Sequence, residues 1–189
     1  MTTKRKKLIS VGIDVGSSNG AVAIVNEDLT IQYAGKVPTY TTEIKSKRNK
    51  SKLNKETQMY EKDYRKRTWV DFRGVGKLFQ PFLPSPLILT IEKVIVKPGE
   101  GEPNSFAFGN AMGIFQGLYP YLNPIAYYEP LAAVWKKEMG VTACKETSVE
   151  LANKIYEEDL KQFVKKGKTD DVAEALLLAF YGFRKYYNK

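Results

Sequence analysis

Residues 8–16 read Leu8-Ile9-Ser10-Val11-Gly12-Ile13-Asp14-Val15-Gly16, a short β-branched run that ends in a carboxylate between two glycines. A Ser17-Ser18-Asn19-Gly20 turn follows, an apolar strand resumes over Ala21–Val25, Asn26-Glu27-Asp28 turns again, and a third strand covers Leu29–Val37. Strands this short, joined by turns this tight, predict an antiparallel three-strand meander. Asp14 closes the first strand, where an acid must leave the apolar interior and where a sheet presents ligands.

Beyond the meander the pattern changes to helix and strand in alternation. Trp69, Phe72, Val75, Phe79 and Phe82 have helical spacing over residues 69–83, and Pro84-Ser85-Pro86 stops it. Leu87–Val94 is a near-continuous apolar strand, the mark of burial on both faces. Asn104-Ser105 caps a small-residue helix running to Leu118 and closed by Pro120, and Ile125–Tyr128 is a further strand. A short helix runs from Pro130 to Met139 with Gly140 as its stop, and two more cover Glu146–Lys166 and Asp170–Tyr187. This order predicts an α/β domain: one five-stranded mixed sheet flanked by helices, spanning residues 1–189.

One segment departs from that order. From 45 to 67 the chain carries Lys45, Lys47, Arg48, Lys50, Lys52, Lys55, Lys62, Arg65, Lys66 and Arg67 and almost no aliphatic core residue. Such a stretch reads as a solvated, flexible basic arm inserted after the third strand, suited to clamping a phosphate backbone.

The whole chain is basic, with 30 Lys+Arg against 21 Asp+Glu and a net charge of +9 in 189 residues. That balance favours nucleic acid as a partner over membrane, since no basic helix with a strong apolar face stands out. No apolar run approaches the roughly 18 residues that span a bilayer. The single cysteine, Cys144, and the want of a secretory signal predict a reducing cytosol, bacterial or phage-infected. Histidine is absent. Triads, zinc sites and general bases built on histidine are thereby excluded, and carboxylates with a hard cation lead the remaining chemistries.

The acids fall in a suggestive pattern. Glu92 interrupts Leu87–Val94, where an unpaired carboxylate is costly to bury, and Lys93 beside it faces the other way. Thr169-Asp170-Asp171-Val172-Ala173-Glu174 opens the last helix. Acids in a first turn complement the helix dipole with no further role. Asp171 and Glu174, however, share a face beside the apolar stripe of Val172, Leu176, Ala179 and Phe183, while Asp170 is turned away. Together, Asp14, Glu92, Asp171 and Glu174 form an all-oxygen ligand set suited to Mg²⁺ or Mn²⁺. Two ions about 3.5–4 Å apart support in-line attack on a phosphodiester without histidine.

These stretches resemble a known family. Gly12-Ile13-Asp14-Val15-Gly16-Ser17 is similar to the first-strand motif of RuvC-like Holliday-junction resolvases, of the ribonuclease-H-like superfamily, and Ile91-Glu92-Lys93-Val94 to their second acidic strand. Gly109-Asn110-Ala111-Met112-Gly113, Pro130 through Trp135-Lys136-Lys137, and Asp170-Asp171-Val172-Ala173-Glu174-Ala175-Leu176 resemble later segments in the same order. The basic arm and the Lys- and Tyr-rich composition suggest a phage-type member.

The resemblance implies a ribonuclease-H-like fold and a homodimeric, Mg²⁺-dependent endonuclease that cuts four-way and other branched DNA, with two ions per active site. It implies Asp14, Glu92, Asp171 and Glu174 as metal ligands and Lys136 as a contact to the scissile or adjacent phosphate. Lys45, Lys47, Arg48, Lys50, Lys52, Arg65, Lys66, Arg67, Lys136 and Lys137 are the expected DNA contacts; neither membrane nor a small-molecule substrate is expected. Glu174 stands where bacterial members usually carry Asp. Ile95 replaces an aromatic that often stacks on bases, which suggests a substrate range widened to forks and flaps. Two other readings stay open at this level: a DNA-binding protein without catalysis, and an actin-like ATPase fragment sharing the opening hairpin.

Overall fold

In a computed structural model of the chain, the described residues are 7–16, 20–45, 52–53, 60–61, 64–95, 102–142, 144–157, 160–163 and 169–188. The central sheet contains β1 (Ile9–Asp14), β2 (Ala21–Asn26) and β3 (Ile31–Lys36). Four short ribbon strands follow: β4 (Thr39–Lys45), β5 (Lys52–Leu53), β6 (Tyr60–Glu61) and β7 (Tyr64–Val70). The sheet is completed by β8 (Leu87–Ile91) and β9 (Ala126–Tyr128), giving the order β3-β2-β1-β8-β9. The first three are antiparallel; β8 pairs parallel to β1, and β9 parallel to β8. This is the five-stranded mixed sheet, flanked by helices, that the alternation of elements implied.

The strand period of two sorts the side chains into two cores. Ile9, Val11 and Ile13 of β1 and Leu87, Leu89 and Ile91 of β8 face α1 (Phe72–Phe79) and α2 (Glu102–Leu122), packing with Val75, Phe79, Phe115 and Leu118. The opposite face carries Ser10 and Gly12 of β1 and Ile88 and Thr90 of β8. It is covered by α5 (Thr169–Tyr187), behind which α3 (Ala132–Met139) and α4 (Lys145–Tyr156) pack. Buried residues run almost right around α5 from Val172 to Phe183, so its apolar surface is far wider than the single stripe of the sequence reading.

Two glycines set how closely α5 approaches the sheet. A Cβ on Gly12 would lie 2.0 Å from the Ala175 carbonyl oxygen and 2.4 Å from the Ala179 nitrogen. Near the other end of the helix, a Cβ on Gly182 would lie 2.5 Å from Thr90 Oγ1 and 2.9 Å from Ser10 Oγ. The Ser10 hydroxyl donates to the Ala179 carbonyl at 2.7 Å, tying strand and helix directly.

Several boundaries differ from the sequence reading. Trp69 belongs to β7, and α1 starts after Asp71, whose carboxylate accepts from the Arg73 N–H at 3.1 Å. Pro120 lies within α2, which continues to Leu122. The single helix expected over Glu146–Lys166 is interrupted: α4 ends at Glu157 in a left-handed conformation (φ 51°), and a 3₁₀ turn follows over Leu160–Phe163.

Parts of the basic segment take part in β-strands. β4 and β7 form an antiparallel ribbon from Thr39↔Val70 to Lys45↔Tyr64, and β5 pairs β6 as Lys52↔Glu61 and Leu53↔Tyr60. Thr, Tyr and Trp make up much of the β4–β7 ladder, with Ile44 and Val70 as its aliphatic members. The Trp69 indole donates to Thr42 Oγ1 at 2.9 Å, and the Arg67 guanidinium lies over the Trp69 ring at 5.4 Å. Lys47, Arg48 and Lys50 lie outside the described residues.

Candidate metal centre

The parity that places Ser10 and Gly12 against α5 does the same for Asp14, and the parity of Ile88 and Thr90 does so for Glu92. Ile13 is in register with Ile91, and the Glu92 N–H donates to the Ile13 carbonyl at 2.9 Å. The two acids therefore leave adjacent parallel strands side by side, at their C-terminal ends and on one face. Glu92 sits just past β8, not inside it as the sequence reading had it, so its carboxylate reaches a partly open position. The first two turns of α5 deliver Asp171 and Glu174 to the same place.

Ligand oxygens of Asp14, Glu92 and Glu174 all lie within 4.8 Å of one another. Asp171 falls outside that tight trio but is close enough for its charge to act on Asp14. Burial first, then the charges of Glu92, Glu174 and Asp171, push the Asp14 carboxyl well above its usual range, with the Lys136 ammonium opposing them. Burial likewise raises Glu92, and the charge of Glu174 adds to it; a hydrogen bond from Trp135 and the charge of Lys136 pull the other way. Like charges gathered in a partly desolvated spot disfavour their own ionisation, and a divalent cation reverses that preference. The donor set is oxygen alone, which fits a hard cation such as Mg²⁺ or Mn²⁺.

Three contacts around the acids escaped the sequence reading. The Trp135 indole N–H donates to Glu92 Oε2 at 2.7 Å from a fully buried ring. A buried indole needs an acceptor and an acid beside an apolar strand needs a donor, so each residue carried half of the signal. From α4, the Ser148 hydroxyl reaches Glu174 Oε1 at 3.4 Å, and Lys145 forms an ion pair with the buried Asp170. That pairing ties the Asp170 carboxylate to α4. Trp135→Phe keeps the packed ring but removes the donor to Glu92. Metal affinity is expected to fall about 10- to 100-fold, the usual cost of losing a ligand's supporting hydrogen bond, as measured by Mn²⁺ titration.

Of the expected DNA contacts, Lys136 lies within the acid cluster, its Nζ 2.6 Å from Glu174 Oε1. Lys137, next along α3, is exposed. Lys66 is exposed and Arg67 half-buried on β7, while Lys45, Lys52 and Arg65 occupy ribbon strand positions.

No protein-family model and no curated protein sequence matches the chain. Among solved structures it is similar to Thermus thermophilus RuvC in complex with a Holliday-junction substrate, at 11% identity and a TM-score of 0.49, covering 94% of this chain and 96% of that one. A second Thermus thermophilus RuvC structure gives the same identity and score, with 95% and 96% covered. Among the described residues, no helix is long and apolar enough to cross a membrane.

Proposed function

We propose that this protein is a divalent-metal-dependent endonuclease acting on four-way and other branched DNA, as a homodimer. The observation that carries this reading is the convergence of Asp14, Glu92 and Glu174 at the ends of two parallel strands and a helix start, in a chain of net charge +9. Clustered carboxylates repel phosphate, so an acidic centre in a basic protein makes sense when cations bridge the two.

In this reading Asp14, Glu92 and Glu174 hold Mg²⁺ or Mn²⁺, and Asp171 adds its charge from the helix start. Two bound cations would supply Lewis-acid stabilisation of the charge that develops on the phosphate and acidify an attacking water. The chain's own groups do the rest. Trp135 fixes the orientation of Glu92, Ser148 that of Glu174, and α5, seated on Gly12, holds the helix-borne acids against those of the strands. Lys136 and Lys137 face the phosphate backbone next to the centre. The β4–β7 ribbon, edged by Arg65, Lys66 and Arg67, has the form of the two-stranded elements that enter a DNA major groove.

The test is cleavage of four-way, three-way, flap and linear DNA with and without Mg²⁺. Nicking of branched substrates that needs the metal is expected; tight binding without cleavage in either Mg²⁺ or Mn²⁺ would mean a binding protein instead. Deleting residues 45–67 is expected to flatten the salt dependence of junction binding. If the arm makes about six phosphate contacts, the log–log slope changes by about five units. An unchanged slope in a salt titration would show the arm to be idle.

A further inference from the structure

We propose that Lys136 is the resident counter-ion of this metal centre: its ammonium occupies Glu174 while the centre is metal-free, is displaced when divalent cations enter, and is thereby released towards the phosphate backbone. This role rests on the metal-centre reading and adds an order of events to it.

The geometry is specific to this lysine. Its Nζ is 2.6 Å from Glu174 Oε1, with the two side chains only 23% and 14% exposed. Among the described residues it is the cation ion-paired with the Asp14–Glu92–Glu174 trio; Lys7, Lys145 and Lys185 pair elsewhere. Its charge also acts on Asp14 and Glu92, opposing the repulsion that burial and neighbouring acids impose on them. One short piece of α3 thus serves both strand and helix acids: Trp135 gives Glu92 a neutral donor, and Lys136 gives Glu174 a cation. With Ser148 on the same oxygen, both acceptor positions of Glu174 Oε1 are engaged.

Charge sets the sequence of binding. The carboxylates of Asp14, Glu92, Asp171 and Glu174 outnumber the one ammonium paired within the trio, so a single positive group only partly relieves their mutual repulsion. A divalent cation held by the same carboxylates carries twice the charge and repels an ammonium a few ångströms away. The lysine stem is flexible and its ammonium strongly hydrated, and Nζ lies over the Trp135 ring at 5.3 Å. Once displaced, the ammonium lies beside the place a phosphate would occupy, so metal loading precedes and favours DNA binding.

The experiment is Mn²⁺ titration of the full chain without DNA, for the wild type, Lys136→Met, Lys136→Arg and Lys137→Met, with thermal unfolding as the check on folding. Lys137→Met carries the same change in net charge one residue away from the contact. Lys136→Met is expected to bind Mn²⁺ at least about tenfold tighter because its competitor is gone. Lys136→Arg is expected to bind no tighter than wild type. Lys137→Met is expected to change affinity less than about twofold, as befits a screened, exposed charge.

Unchanged or weaker binding by Lys136→Met overturns the proposal, and so does equal tightening by Lys137→Met. A second readout is junction binding with and without Ca²⁺, chosen as a non-hydrolytic ion. The metal-linked gain in affinity is expected to be about three- to tenfold smaller in Lys136→Met, the size of one lost phosphate contact. A gain as large as the wild type's overturns the release step. Absence of Mn²⁺ binding in every protein overturns both the counter-ion role and the metal centre, whereas tightening without DNA cleavage leaves the counter-ion role standing and removes only the nuclease reading.

Discussion

Asp14→Asn is expected to abolish metal-dependent nicking of branched DNA, by on the order of 10³-fold or more, while junction binding persists. Asp14 is the acid on which every other member of the cluster acts, and losing a shared ligand forfeits several kcal/mol of charge stabilisation. Single-turnover cleavage and binding assays on one four-way junction read the two effects separately. The same substitution is expected to stabilise the metal-free protein, because it removes the charge that burial and three acidic neighbours oppose.

The sign of the pH dependence comes from the raised values of Asp14 and Glu92. An acid whose folded-state pKa lies above its unfolded one adds stability that is fully present below the unfolded value. That contribution is lost as pH rises through the folded value. Metal-free wild type is therefore expected to lose stability from these groups as pH rises above the ordinary 3.8 of Asp and 4.5 of Glu, and Asp14→Asn to lose less. Added Mg²⁺ is expected to flatten the wild-type curve by favouring the ionised forms. Urea denaturation across pH, with EDTA or with Mg²⁺, measures all three.

Gly12→Ala is expected to cost about 3 kcal/mol or more, near the upper end for an overpacked core. The new methyl group meets backbone at 2.0 and 2.4 Å, and backbone in the middle of a buried helix has no room to give. Relief requires α5 to move off the sheet, which carries Glu174 and Asp171 away from Asp14. Stability and Mn²⁺ affinity are thus expected to fall together, although Gly12 offers no ligand atom. Urea unfolding paired with Mn²⁺ titration checks this; a destabilised variant with wild-type metal affinity would show that the helix position and the centre are not coupled.

The sequence made the sheet legible because its strands are short, β-branched and separated by tight turns, and because β8 is apolar on both faces. The acids were legible for a related reason: Asp14 and Glu92 stand at the ends of apolar runs, where a carboxylate needs a cause. Their juxtaposition across the β1–β8 ladder was not readable, since it depends on a parallel register between residues far apart in the chain. The pairing of Trp135 with Glu92 spans 43 positions and was hidden for the same reason.

The ribbon was missed because its charges mask a ladder built from Thr and aromatic residues, and a two-stranded element buries too little to show an apolar period. The break after α4 rests on Glu157 at positive φ, a conformation that residue type does not announce. Gly12 stood in plain view within the first strand, two residues before Asp14. Its actual role is to admit a helix backbone against a strand.

The most direct test is a crystal of the protein soaked in Mn²⁺ and measured for anomalous scattering. Density is expected among the carboxylates of Asp14, Glu92 and Glu174, with the Lys136 ammonium withdrawn from Glu174. Ordered Mn²⁺ bound only elsewhere, with Glu174 still paired to Lys136, would contradict the metal-centre reading on which the nuclease function stands.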